Sequence, residues 1–386
     1  MRSSLSTLLG SSLLGAASFV AAADIDVMTQ NQYLGADLAP VLGAATADPF
    51  DPAAFNSAVV TALKKIAATR PAERVQALAA EIAQRNPDVV GLQEAYAFVC
   101  LPYPGVPDVA GKGCDDPEVK GAFTDQLRNT GLALRGTYAV VGKVTNLNVD
   151  ALPFAVNGFP AVLQLADRDA ILVRRGLPAH AVDLAALTGC RASDQGCNFD
   201  TRPPPFSTPL GPIAIERGFL AVDITVKGQP YRVFNTHLEQ RLLAPNLPAT
   251  RLLQVGQAVE VLNKAIGTWD GTRRVLVVGD INSTPQDQIE GAPTPYQVFT
   301  LNGFTDTWTM RPQRDEGLTC CQSETLTNRG SELYERIDMI FSLAPPSRVV
   351  NMKLLGITMG DKTRPPGRDG LWPSDHAAVA AKLFFD

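Results

Sequence analysis

Apolar and polar positions change period along this chain in a way that separates strands from helices. Ile25-Asp26-Val27-Met28-Thr29-Gln30-Asn31 alternates and predicts a strand that ends on Asn31. Residues 37–55, with Pro40, Pro49 and Pro52, read as a loop. From about Phe55 to Gln84 the pattern is helical, with Pro71 as a break. The second half of that stretch places Val75, Leu78, Ala79 and Ile82 on one face at i, i+3, i+4 and i+7. Asn86-Pro87-Asp88 stops the helix, and Val89-Val90-Gly91-Leu92 then predicts a short buried strand with Glu94 at its far end.

Residues 96–130 read as an insertion, and strands are expected at Tyr138–Val144, Ala161–Leu165 and Asp169–Val173, followed by a Pro-rich excursion over 176–212. Phe219–Val226 and Tyr231–Thr236 form a hairpin across Lys227-Gly228-Gln229, which puts His237 just past its end. A helix from about Ala249 to Ile266 leads into Val275-Leu276-Val277-Val278, a fully buried strand that ends at Asp280. Later strands carry Asp338 and, after a Pro/Gly loop at 360–373, Asp375 and His376. No repeat and no linker interrupts the chain. Strand–helix–strand at both ends with hairpins between predicts one α/β domain over residues 24–386. Two mixed β-sheets would pack face to face with helices outside, and the strand ends would gather at one edge.

Composition narrows the class. In 386 residues, 45% apolar and 19% charged is the balance of a folded globular chain. A net charge of −5 gives no long-range attraction for a polyanion, though local metal ions can offset local charge. Arg2, an apolar region from Leu5 to Val20 and the small residues Ala21-Ala22-Ala23 read as an export signal over 1–23, cleaved to leave a secreted or periplasmic protein; an uncleaved anchor is the competing reading. No later run reaches the roughly 20 apolar residues that span a bilayer, and no protein partner is indicated. Six cysteines in an exported chain point to disulfides. Proximity pairs Cys100 with Cys114 and Cys190 with Cys197, and the adjacent Cys320 and Cys321 can close on each other. A zinc site competes, but no CxxC spacing and no neighbouring histidine supports it.

The candidate chemistry sits at the ends of the apolar runs. Gly91-Leu92-Gln93-Glu94, Asn235-Thr236-His237-Leu238, Gly279-Asp280-Ile281-Asn282, Arg336-Ile337-Asp338 and Trp372-Pro373-Ser374-Asp375-His376 each bring an acid, amide or imidazole there, and two of the three histidines fall in the set. A hydrolase that uses a hard divalent cation needs carboxylates for the metal, imidazoles for protons and amides for phosphate oxygens. Glu94 suits a metal, and Asn31 can donate to a phosphate or bind the cation through its carbonyl. Asp280 and Asn282 alternate with Ile281, which turns both to one face as an acid for water and an amide for the phosphoryl oxygen. Their competing use is to cap the turn into Ser283-Thr284-Pro285. Asp338 and His376 form an imidazole–carboxylate pair, and Asp375 is a second candidate metal ligand. His180 reads as structural, and Arg336 as a residue that fixes its own strand.

With Asn31 leading, this ordered set resembles the endonuclease/exonuclease/phosphatase superfamily, which includes the DNase I-like nucleases, the neutral sphingomyelinases and the inositol polyphosphate 5-phosphatases. The motifs stand in family order over nearly all of the chain beyond residue 23. The resemblance implies a four-layer α/β sandwich and Mg²⁺-dependent hydrolysis of a phosphate ester by in-line attack of water, with Mn²⁺ or Ca²⁺ as substitute ions. It places His237 across the scissile phosphate as a donor to the phosphate or leaving group. The Asn-Thr-His-Leu form looks closer to the nuclease, sphingomyelinase and 5-phosphatase branches than to the abasic-site repair nucleases, which carry an acid where Tyr33 stands. The expected substrate is a phosphodiester, a nucleic acid first and a phospholipid head group as the alternative. A non-catalytic binder on the same fold is a third reading. Lys362, Arg364 and Arg368, with Arg311 and Arg314, are the candidates for a basic stripe. The segment Gly317-Leu318-Thr319-Cys320-Cys321-Gln322 departs from the better-known branches.

Overall fold

A computed structural model describes residues 23–107, 109–208, 211–241, 248–364 and 369–386. The expected export signal, apart from Ala23, lies outside the described residues, as does Arg368. Among the described residues no helix is long and apolar enough to cross a membrane.

Two mixed sheets form the centre. The first runs in the order Arg348–Leu355, Ala378–Phe385, Ala23–Asn31, Val89–Gln93 and Phe159–Arg174, with Ala97–Pro102 and Tyr138–Val156 both pairing to the last of these. The second runs Thr305–Asp306, Asp338–Ser342, Arg274–Asp280, Gln229–His237, Gly218–Val226, Gly196–Asn198 and Arg191–Ser193. Ala23–Asn31 is parallel to Val89–Gln93, and Gln229–His237 is parallel to Arg274–Asp280. All four of these strands therefore end on the same side of their own sheets. That is where the polar ends Asn31, Glu94, His237 and Asp280 emerge.

Period-2 alternation decides which layer each side chain enters. Ile25, Val27, Val233, Leu276 and Val278 fill the seam between the sheets. Phe234, Val275 and Val277 point the other way and pack with Ala258, Val261, Leu262 and Ala265 of the helix Pro248–Gly267. On the opposite outer face Met28, Val90 and Leu92 meet Ala79 and Ile82 of the helix Pro71–Arg85. Helix, sheet, sheet and helix make four layers, as the sequence predicts. The helical stretch from Phe55 is two helices, Pro52–Ala68 and Pro71–Arg85, separated at Arg70, whose φ is +50°.

The structure departs from the expected elements in several places. Residues 37–55 hold the helix Ala39–Ala45, and the excursion over 176–212 holds short strands, among them Arg191–Ser193 and Gly196–Asn198 of the second sheet. Ala161–Leu165 and Asp169–Val173 belong to one continuous strand, Phe159–Arg174, paired along its length with Tyr138–Val156. The insertion over 96–130 contains a further strand, Ala97–Pro102, on the edge of the first sheet. The disulfides are Cys100–Cys114, Cys190–Cys197 and Cys320–Cys321.

One glycine sets how the edge that carries Asp280 is built. Gly279 has φ +139°, and a Cβ there would meet the Thr236 carbonyl oxygen at 1.9 Å. Gly279→Ala is therefore expected to cost about 3 kcal/mol or more, because neither the dihedral nor the neighbouring strand can yield cheaply. Urea unfolding of the purified variant checks this; a midpoint equal to that of the parent chain would contradict it.

Candidate active site

The strand ends do not simply stop at the edge. Tyr33, Glu94 and Asn282, each just beyond a strand, have φ of +60°, +54° and +48°. Left-handed backbone at non-glycine residues is costly and persists only where the surroundings enforce it. Here it bends three strand exits back over the sheet edge. Asn282 thus reaches Asp280 through a turn, in which its N–H donates to Asp280 Oδ1 at 2.9 Å. Strand alternation, expected from the sequence, is not what brings these two together. Ile281 does enter the core as expected, fully buried.

The layer beneath the site is a buried amide network. Asn235 Nδ2 donates to the Leu92 and Ala170 carbonyls at 2.9 and 3.1 Å, and its Oδ1 accepts from Gln93 Nε2 at 2.6 Å. These bonds tie the second sheet to the first directly below Glu94 and His237. Above them, Ser374 Oγ donates to the Asn31 carbonyl at 2.8 Å and accepts from His376 N–H at 3.1 Å. The buried Arg74 donates to the carbonyls of Gln32, Tyr33 and Pro373 at 2.8, 3.0 and 3.1 Å, which locks the exits carrying Asn31 and Asp375 to one another.

Three groups converge on a single carboxylate oxygen, Asp280 Oδ2: Asn31 Nδ2 at 3.2 Å, His237 Nε2 at 3.5 Å and His376 Nε2 at 3.9 Å. His376 Nδ1 stands 2.8 Å from Asp338 Oδ2, so the expected imidazole–carboxylate pair is formed. Burial alone would discharge this ring, but the carboxylates of Asp338, Asp375 and Asp280 outweigh it and hold His376 well above its ordinary value. His237 is the opposite case. Burial, the Arg217 guanidinium and His376 all press it well below the ordinary range. Arg217 Nη1 is 3.0 Å from His237 Nδ1, and an arginine can only donate, so Nδ1 accepts; the proton of a neutral ring is then on Nε2, which the side-chain amide of Asn282 approaches to 3.1 Å. The site therefore pairs one cationic imidazole with one neutral one, both aimed at Asp280.

The acids are crowded. Burial, then Asp338, push Asp280 up to about 7 against the pull of His376, and burial pushes Asp375 up to about 6. Glu94 is half-buried; its Oε2 accepts from Leu34 N–H at 2.9 Å and its Oε1 from Asn31 Nδ2 at 3.2 Å. Asp338 Oδ1 is buried without a partner. Four carboxylates facing one cationic imidazole, with all donors hard oxygens, fit a divalent cation such as Mg²⁺. The structure turns the carbonyl of Asn31 away from such an ion, toward Tyr33 N–H at 2.9 Å, and presents its NH₂ to the two acids. The nearby sulfurs of Cys320 and Cys321 are bonded to each other and supply no thiolate for zinc.

Arg217 and Arg74 are site-building residues that sequence reasoning missed. Each lies in a loop or helix far from its partner, and no period or spacing marks it. His180 is exposed and outside the site, and Arg336 bonds Asp306 Oδ2 at 2.8 Å under its own strand, both as expected. The proposed basic stripe is less available than its sequence suggests. Lys362 donates to the Asn328 carbonyl at 2.6 Å over the Trp372 ring, Arg364 donates to the Gly360 carbonyl at 2.8 Å, and Arg311 stacks on Trp308 and bonds Asp315 at 2.6 Å.

No family model and no curated protein matches the chain. Solved structures do. An endonuclease/exonuclease/phosphatase family protein from Bacteroides thetaiotaomicron matches with a TM-score of 0.51 at 16% identity, over 95% of this chain and 99% of that one. A mannosyl-6-phosphatase of the same organism matches with a TM-score of 0.52 at 16% identity, over 94% of this chain and all of its own length.

Proposed function

We propose, from the endonuclease/exonuclease/phosphatase fold that this chain carries, that it is a metal-dependent phosphoesterase that cleaves a phosphodiester by in-line attack of water. The observation that carries the proposal is the convergence of His237, His376 and Asn31 on Asp280 Oδ2, ringed by Glu94, Asp338 and Asp375. Acid, base and amide are then within reach of one phosphorus.

The roles follow from charge state. Asp280, ionised once its pKa is passed, orients the attacking water and draws its proton. Neutral His237 donates its Nε2–H to a phosphoryl oxygen, and Asn282 Nδ2, bonded to the Leu238 carbonyl at 2.9 Å, frames the same face. His376, held cationic by Asp338, counters the negative charge that develops at phosphorus and can yield its Nε2 proton to the leaving oxygen. Glu94 and Asp375 are the residues that would hold the cation, Mg²⁺ first and Mn²⁺ or Ca²⁺ in its place, with Asn31 locking Glu94 in position. Bound there, the ion supplies positive charge to the phosphate and leaving oxygens.

The diester we propose first is a nucleic acid, with a phospholipid head group as the alternative. Because Lys362, Arg364 and Arg311 are already engaged within the protein, a short strand or small diester fits better than a long duplex held by many phosphate contacts. The reading further proposes a single catalytic domain over residues 24–386 in a secreted or periplasmic protein. The test is hydrolysis of plasmid DNA, a short single strand, sphingomyelin vesicles and bis-p-nitrophenyl phosphate, each with Mg²⁺ or with EDTA. Metal-dependent cleavage is expected, with the short strand or the small diester the fastest. Inertness of the folded, metal-supplied protein toward all four would reject the proposal.

A further inference from the structure

The segment Thr319–Gln322 lies between the two pieces of chain that carry the Asp338–His376 pair. On one side, Cys320 N–H donates to the Glu335 carbonyl at 2.9 Å and Glu335 N–H returns to the Cys320 carbonyl at 2.8 Å. On the other, Gln322 N–H donates to the Asp375 carbonyl at 2.9 Å and Ala377 N–H to the Thr319 carbonyl at 2.7 Å. The Thr319 hydroxyl oxygen accepts from the N–H groups of Ile337 and Asp338 at 3.1 and 3.2 Å. The backbones of Thr319, Cys320 and Gln322, together with the Thr319 hydroxyl, thus clasp the chain on either side of the pair. Both sulfurs of the Cys320–Cys321 bridge lie within 4.8 Å of each other and of a ring nitrogen of His376.

A bridge between neighbours in sequence does little for global stability. The loop-closure entropy that a disulfide removes from the unfolded chain grows with the length of the loop, and here the separation is one residue, against 14 for Cys100–Cys114. What it does constrain is local: two side chains and the peptide between them, at the centre of the clasp.

We propose that the Cys320–Cys321 bridge is a positioning element of the active site, which fixes the Thr319–Gln322 clasp and through it the placement of His376 against Asp338. The inference rests on the phosphoesterase reading of the site. Opening the bridge frees both side chains, and the clasp then no longer holds one geometry. In that reaction a dithiol gives two electrons and two protons to the S–S bond, which becomes two thiols, and the dithiol closes to its own disulfide.

The test compares the parent chain with the Cys320→Ser/Cys321→Ser variant, each with and without dithiothreitol. kcat and KM on bis-p-nitrophenyl phosphate with Mg²⁺, the thermal midpoint, and the far-downfield proton resonance of His376 Nδ1 are measured. The variant is expected to lose at least about tenfold in kcat with KM nearly unchanged, to melt within a few degrees of the parent, and to show a moved or lost resonance. Dithiothreitol should bring the parent down to the level of the variant and leave the variant where it is, and reoxidation should restore the parent. Parent-like kcat with an unmoved resonance in the variant would overturn the proposal. So would an equal loss in both proteins on reduction, which would assign the effect to the other two bridges. If the variant fails to fold, the chain with Cys100→Ser/Cys114→Ser and Cys190→Ser/Cys197→Ser, which keeps Cys320–Cys321 alone, is reduced and reoxidised, and a resonance that does not move on reduction overturns the proposal. A parent chain without phosphoesterase activity would defeat the functional reading, while the resonance would still judge the positioning role.

Discussion

His376→Ala is expected to lower kcat on bis-p-nitrophenyl phosphate with Mg²⁺ by on the order of 10³-fold, with KM little changed. The ring is the cationic imidazole of the site, held charged by three carboxylates whose pull outweighs its burial. Its Nε2 is 3.9 Å from Asp280 Oδ2 and 3.9 Å from Asp375 Oδ1, so its charge is spent where the phosphate would sit rather than on a distant structural partner. Alanine removes the charge and the proton together. Asp338→Asn should cost less, because it keeps the ring and its orientation but takes away the carboxylate most responsible for its charge. In the parent chain, activity should rise with pH as Asp280 loses its proton, and fall only when the raised pKa of His376 is passed. The Ala variant should lose the alkaline limb of that profile while keeping the acid one. A kcat within tenfold of the parent would remove His376 from the chemistry. Circular dichroism must accompany the kinetics, since the substitution leaves the buried Asp338 without its 2.8 Å partner.

The residues in this prediction were visible in the sequence for a physical reason. A strand buried on both faces reads as an unbroken apolar run, and a polar residue at its end has to leave the core there. Glu94 and Asp280 were found in that way, Asn31 at the end of an alternating strand and His237 past the end of a hairpin, and the two parallel pairs bring all four to one edge. Order along the chain therefore carried the site better than any single motif did.

What remained hidden depends on contacts without a local signal. Tyr138–Val156 shifts register against its partner between Val140 and Gly142, Thr145 and Leu147, and Val149 and Leu152. The two irregularities beyond Val144 reset the alternation, so only the first seven residues look like a strand. Ala97–Pro102 is an edge strand whose second half is largely exposed, and its apolar Val99 and Leu101 face out rather than in. Arg217 is a similar case. It meets His237, twenty residues away across a strand pair, and the carboxylates of Asp167 and Glu239, contacts that no local pattern announces. The turn at Asn282 shows a milder form of the same limit. Both readings of Asp280 and Asn282, as chemistry and as a turn, describe the structure, because the turn is what places the chemistry.

Asp280→Asn is expected to move activity and stability in opposite directions. Activity should fall on the order of 10³-fold, because the amide can neither draw a proton from water nor complement His376. Stability follows from the sign of the pKa shift. Asp280 titrates near 3.8 when unfolded and is pushed to about 7 in the fold, so between those values the folded state holds the extra proton. The stability that this group contributes is complete below the unfolded value and is lost as pH rises through the folded one. At pH 8 without metal the parent chain carries the full cost of a buried anion beside Asp338, and the amide carries none. The variant should then be more stable by on the order of 2 kcal/mol, which is less than the whole shift would give because His376 shares it. Near pH 4 the advantage should vanish, since Asp280 is then protonated in the fold and carries no buried charge for the amide to relieve. Adding Mg²⁺ should stabilise the parent more than the variant, because the ion favours the state with the fuller set of charged oxygens. Urea unfolding at both pH values, with EDTA and with Mg²⁺, measures all three terms. A variant less stable than the parent at pH 8 in EDTA would show that the partners of Asp280 outweigh its burial, and that the site is settled without a cation.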